Sequence, residues 1–473
     1  MYTRTLLPIC VISMSGSALY AQSAFDVSAD GHSQINHRPM LMSHDLVTNA
    51  GSAVPFGSTP DQSVMLRRQI GGLQIVDIDN DGNNDVVAVC YSSNSFPAYT
   101  DWHDMIFYGN GAGIDTAPGW ISDLQTHTGD VQVGDVDGNG FADIVSIHGG
   151  LRRDTVRVYF GDAGGMPVVP GYVSDTTNTA WATSGVLADM NNDGDLDLVT
   201  TNQGVSPNPF RPIYMFENDG ATLTTTAVWE SADESIQNGI DARDVTGDGF
   251  PELAVAKWVN FNSGLYYNTT GTPDVFQSLF AVGSDADKGA AFTDLENDGI
   301  FEVGFGGDPS KVYTGVHGAF LEVYSSNPPF SGPQEIEFVD VDHDGDEDFV
   351  EVHFSDGKTH IYLNNDGVLD TDPTWTYDAS EVGTALAFGD LNNDSRTDMV
   401  VGYSGDTSIR VFFGQAPECP ADINNDGELN FFDVSAFLSA FASQELIADF
   451  TNDGEWNFFD VSAFLNAFSA GCP

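Results

Sequence analysis

The chain has 473 residues, and 70 Asp plus Glu against 15 Lys plus Arg give it a formal net charge of −55 and a pI near 4.1. Nucleic acid and anionic membrane are held by clustered cations, so this balance excludes both as partners. The acids are dispersed among 41% hydrophobic and 11% aromatic residues, which excludes an unfolded polyanion as well.

Residues 1–21 read as an export leader. Arg4 precedes the apolar run Leu6, Leu7, Pro8, Ile9, Cys10, Val11, Ile12, and small residues lead to Ala21, with cleavage expected between Ala21 and Gln22. The run is shorter than the roughly 20 residues of a spanning helix, and no later segment is a candidate span. The mature chain is therefore expected outside the cell, secreted or held at a surface, and monomeric. Cys10 leaves with the leader, and Cys90, after Val86, Val87, Ala88 and Val89, reads as a buried thiol. Cys419 and Cys472 are expected to pair, closing a loop of about 54 residues worth about 4 kcal/mol on a chain-entropy argument.

One nine-residue pattern, acid-x-acid/Asn-x-acid-Gly-x-x-acid, then recurs seven times. The copies use Asp77, Asp79, Asp81, Gly82, Asp85; Asp135, Asp137, Asn139, Gly140, Asp143; and Asp189, Asn191, Asp193, Gly194, Asp197. The fourth, Asp244, Thr246, Asp248, Gly249, Glu252, has a hydroxyl at position 3. Asp294, Glu296, Asp298, Gly299, Glu302 and Asp340, Asp342, Asp344, Gly345, Asp348 follow, and the last, Asp390, Asn392, Asp394, Ser395, Asp398, lacks the glycine. First acids are spaced 58, 54, 55, 50, 46 and 50 residues apart, the length of four short strands with their turns.

Strand-like apolar residues flank each copy, such as Ile144, Val145, Ile147 and Phe349, Val350, Val352, so each loop is expected to join the first two strands of a hairpin. A third strand ends in an aromatic followed by Gly or Asn, as in Tyr159-Phe160-Gly161, Phe216-Glu217-Asn218 and Phe412-Phe413-Gly414. A four-strand period near 50 residues favours a propeller. These loops and the Tyr159-Phe160-Gly161 type of motif resemble the FG-GAP or VCBS repeat family, over roughly residues 65–415. The resemblance implies an all-β, seven-bladed propeller of four-stranded blades. Residues 22–64 are expected to contribute the strand that closes the ring.

Calcium takes six to eight oxygens, and alternate loop positions present short carboxylates while glycine permits the sharp turn. Positions 1, 3, 5 and 9 would ligate through side chains and position 7 through its carbonyl, giving up to seven propeller sites. These ions are expected to staple hairpins rather than act on a substrate, with the Ser395 site the weakest. Ligand recognition is then expected on the opposite face, which carries Trp102, His103, Arg211, Trp258 and Tyr313, facing a polysaccharide or protein.

After the linker 416–418, residues 419–473 hold two further loops: Asp422, Asn424, Asp426, Gly427, Asn430, Asp433 and Asp449, Thr451, Asp453, Gly454, Asn457, Asp460. Each leads into an apolar i, i+3, i+4, i+7 stripe, and Phe-Phe-Asp-Val-Ser-Ala-Phe-Leu repeats verbatim from Phe431 and Phe458. The tandem resembles a type I dockerin, a small α-helical module of two EF-hand-like loops. That resemblance implies two more calcium ions and partner selection by Phe431, Phe432, Phe458 and Phe459, which stand where Ser or Thr is usual. The implied partner is an extracellular protein, cohesin-like or a cell-surface receptor.

No G-x-S-x-G, H-E-x-x-H or phosphate loop is present, so no catalytic residue is assigned. The expected function is a binding or adhesion module. The alternative is a polysaccharide lyase or hydrolase on the same scaffold, for which His103, Arg211 and Lys257 are the candidate base or charge neutraliser.

Overall fold

The computed structural model describes residues 54–91, 102–123, 125, 127–149, 156–175, 182–203, 210–232, 234–258, 262–278, 289–315, 320–327, 332–415, 420–424, 429–451 and 454–471. All of them fall in the unit Gly51–Pro473. The expected leader, Cys419, Cys472, Asp426 and Asp453 lie outside these residues.

Seven inner strands, Arg68–Val76, Thr128–Gly134, Ala182–Ala188, Ile236–Arg243, Ala290–Thr293, Pro333–Val339 and Val382–Gly389, stand side by side around a central cavity. Each pairs antiparallel with a second strand that begins at the last acid of its loop, for example Asp85–Tyr91 or Asp143–His148. The second strands are buried on both faces between neighbouring sheets, which is why they read as continuous apolar runs rather than alternating ones. Cys90 lies in such a run, at 0% exposure. Three fourth strands, Trp120–Ile121, Tyr172–Val173 and Trp229–Glu230, are two residues long and keep those outer edges small.

The hydrogen-bonded sheets correct the expected blade count. Five four-stranded blades stand separately, not seven, and the remaining strands form one eight-stranded sheet. The cause is local to the chain ends. Arg68 and Gln69 of the first inner strand pair with Gly405 and Ser404, and Gln62–Val64 pairs antiparallel with Ile409–Phe412, so the first and last hairpins share one sheet. Ser408 pins the junction, accepting from the Arg68 N–H at 3.0 Å while its own N–H donates to the Val64 carbonyl at 3.0 Å.

Helix is confined to Phe431–Ser443, Phe458–Ala470 and one short turn, Leu446–Ala448, among the described residues. The two helices pack through Phe437 and Phe464, whose rings stack at 4.0 Å with planes 1° apart. No described helix is long and apolar enough to cross a membrane.

Candidate functional site

All seven acidic loops occupy the turn between a first and a second strand, at residues 77–84, 135–142, 189–196, 244–251, 294–301, 340–347 and 390–397. One hydrogen-bond scheme recurs in each. The first acid accepts the N–H of position 6 at 2.8–3.1 Å, and the position 5 side chain accepts the N–H of position 7 at 2.8–3.0 Å. The last acid is buried and accepts the N–H of position 2 at 2.7–3.3 Å. In six loops its other oxygen accepts the N–H at the end of the third strand, from Gly109, Gly161, Asn218, Asn268, Asn364 or Gly414, at 2.6–3.4 Å. The aromatic-Gly/Asn motif is thereby explained: the Gly or Asn that closes it delivers its amide to the acid of the loop.

Two backbone positions per loop are left-handed. Position 6 has φ from 66° at Ser395 to 99° at Gly345, and position 4 also has positive φ at Asn80, Gly138, Asn192, Gly247, Asn297, His343 and Asn393. Position 4 escaped the sequence reading. Its signal was present, because six of these seven residues are Asn or Gly, the types that tolerate this region best.

Neighbouring loops are joined on one rim. Asn393 Nδ2 donates to Asn83 Oδ1 at 2.8 Å, Thr397 N donates to His343 Nε2 at 3.0 Å, and Asn297 Nδ2 donates to the Gly345 carbonyl at 2.9 Å. Asn218 and Asn268 likewise reach the Val136 and Met190 carbonyls of the preceding loop, each at 2.7 Å.

The oxygen donors fit a hard cation. Carboxylate oxygens come within 4.8 Å of one another in Asp77, Asp79, Asp85; in Asp135, Asp137, Asp143; and in Asp340, Asp342, Asp344. Asp340 Oδ1, Asp342 Oδ2 and Thr246 Oγ1 are buried with no protein donor, which is how an oxygen reserved for a metal looks. Burial, only partly offset by amide bonds, pushes Asp85, Asp143, Asp197 and Asp398 up to about 6, Glu252 and Glu302 to about 7 and Asp348 to about 8. A bound dication reverses that tendency.

The helical tail places its loop residues as caps. The N–H groups of Phe432 and Phe459 donate to Asn430 and Asn457 at 2.8 Å, and Asp433 and Asp460 accept the N–H of those caps at 2.9 and 2.8 Å. Phe431 and Phe458 are each 76% exposed and Phe432 and Phe459 68%, so they stand outside the core rather than filling it. Asp422, Asn424, Asp449 and Thr451 precede these caps, and Thr451 donates to Asp460 at 2.9 Å.

The opposite rim is less aromatic at its surface than its sequence implies. Tyr313 is buried in the core beside Phe292 and Phe305, and Trp102 packs against the core with its ring 4.5 Å from that of His127. Tyr313 therefore offers no open ring face, and Trp102 is half-buried. His103 Nδ1 lies 2.6 Å from the Ser122 carbonyl, Arg211 donates to the Phe210 carbonyl at 2.8 Å, and Trp258 ends a second strand opposite Ile236. Lys257 is 2% exposed, with Nζ 3.2 Å from the Tyr266 hydroxyl and 3.6 Å from the Phe276 ring centre. It is therefore a packed cation rather than a base presented to substrate.

A sequence profile of FG-GAP-like repeats matches residues 73–146 and 340–401, which hold the first two and last two propeller loops. The repeats are FG-GAP-like and their arrangement is a β-propeller. No match was found among curated proteins. Among solved structures, the crystal structure of BBS1N in complex with ARL6DN, soaked with mercury, is similar at 11% identity and a TM-score of 0.48, covering 76% of this chain and 97% of that chain.

Proposed function

We propose that the chain is a calcium-stabilised, non-catalytic binding or adhesion module that works outside the cell. The observation that carries this is the commitment of each loop's first and last acids to backbone amides, which makes the acidic rim a set of hairpin staples. Calcium would be held at the remaining lone pairs of positions 1, 3, 5 and 9, and its charge would relieve the repulsion among carboxylates. Ligand contact then belongs to the opposite rim, with Phe210, Arg211, His103 and Trp258 as its accessible polar and aromatic groups. Burial of Lys257 counts against the lyase alternative.

The tail is read as a dockerin-like module that attaches the propeller to an extracellular protein. Two equivalent exposed Phe pairs at two equivalent helix starts support this, since solvent-facing aromatics of this size are typical interface anchors. Pull-down from native surface extracts with the full chain tests it. Capture should be lost in chelator and in a variant with all four Phe replaced by Ser, whereas capture that survives both would refute the docking role.

A further inference from the structure

The inner strands enclose a cavity of about 680 Å³, well within the roughly 300–1,000 Å³ of small-molecule sites. Four carboxylates line it, Asp130, Asp241, Glu335 and Glu337, and no Lys, Arg or His among the described residues does. The rest of its polar lining is carboxamide and hydroxyl groups.

Three of the acids are aimed by the fold. A register shift in the inner strand precedes Asp130 and Glu335, as bulges do where a side chain is re-aimed. Asp130 Oδ2 accepts the Gly185 N–H at 3.0 Å and the Ser184 hydroxyl at 2.8 Å. Asp241 Oδ2 accepts the Phe292 N–H at 2.8 Å, and Glu335 Oε2 accepts the Leu386 N–H at 2.9 Å. Each acid thus bonds the next inner strand, and the three come from alternate strands around the ring. Glu337 stands in the field of Asp130 and Asp241. None of the described residues donates a hydrogen bond to it.

A second observation comes from neutral groups on the same lining. Gln69 Oε1 and Thr384 Oγ1 have no partner, in residues only 7% and 6% exposed. Leaving such oxygens unmet costs about 1–3 kcal/mol each, so these two, like the four acids, call for donors that the neighbouring lining groups do not supply.

A bare metal ion does not answer this need. Ligand oxygens around one calcium stand about 2.3–2.6 Å from it, and among the described residues the carboxylate sets close enough for that lie in the loops, not in the cavity. The need is for several N–H donors and positive charges spread along one molecule. We infer that the cavity binds a linear organic polycation, an aliphatic polyamine whose ammonium groups pair with carboxylates on alternate inner strands.

Calorimetric titration of the full chain with spermidine tests this. One saturable site is expected, weakened at least about tenfold by Glu337→Gln and by Asp241→Asn and unchanged by the loop variant Asp137→Asn. Glu335→Gln serves as a third variant, and each is checked for folding by thermal melting. Absence of saturable binding would overturn the inference. So would multi-site binding that salt abolishes and the cavity variants leave intact, which is diffuse attraction to a chain of charge −55.

Discussion

The Ser395 N–H donates to Asp390 Oδ2 at 2.8 Å, the same bond that a glycine amide makes to the first acid in the other six loops. Loop closure therefore follows from the first acid, and glycine only lowers its conformational cost. Ser395 adopts φ 66°, a region disfavoured for residues with a Cβ. Ser395→Gly is expected to stabilise the chain by about 1 kcal/mol, read as a higher denaturation midpoint at unchanged slope.

The last acid of each loop does two jobs that mutation separates. Asp143 is 0% exposed and holds the Val136 and Gly161 amides at 2.8 Å, while Asp137 is nearer the surface. Asp143→Ala should cost about 2–4 kcal/mol with or without chelator, because two buried amides lose their acceptor. Asp137→Ala should cost stability chiefly when calcium is present. Denaturation of both variants in calcium and in chelator checks the distinction.

The loops were legible because carboxylates at fixed spacing are required wherever this turn forms, so seven copies kept a visible pattern. The blade count was not. Whether the first and last hairpins remain separate depends on Arg68 and Gln69 meeting Gly405 and Ser404, a pairing between residues more than 300 positions apart that no local pattern announces. The burial of Tyr313 was not legible for a related reason, since an aromatic near a connection reads alike whether it faces solvent or the next sheet. Asp130 and Glu335 stand five residues before their loops and Asp241 and Glu337 three, but the other blades carry no acid at these offsets, so no repeat announced them and only closure of the ring gathers them.

Acid sensitivity follows from buried histidines. Burial holds His360 down at about 4 and His148 well below its usual value, so neither takes a proton in the folded state until the pH is low. The unfolded chain protonates both near 6.5, so at these two sites it binds more protons between about pH 6.5 and 4, and their contribution to stability falls as the pH drops through that window. The loop acids held up at about 6 to 8 oppose this where no dication is bound, so the histidine share is read from the variant: in calcium, His148→Gln should lose less of its denaturation midpoint than the native chain between pH 7 and 4.5.

The helical tail depends on one ring pair. Phe437 and Phe464 are each 1% exposed and stacked, and Phe464→Ala should cost about 3–5 kcal/mol locally, seen as lost amide protection in both helices. Phe458→Ser, at an exposed position, should leave that protection within about 0.5 kcal/mol and reduce only partner capture.

Thermal melting of the full chain at low ionic strength, in calcium and then in chelator, tests the central claim most directly. If the loops are calcium staples, chelation should lower the midpoint by more than about 10 °C, and added calcium should restore it. A midpoint unchanged by chelator would show that the amide bonds alone close the hairpins and that the acidic loops are not metal sites.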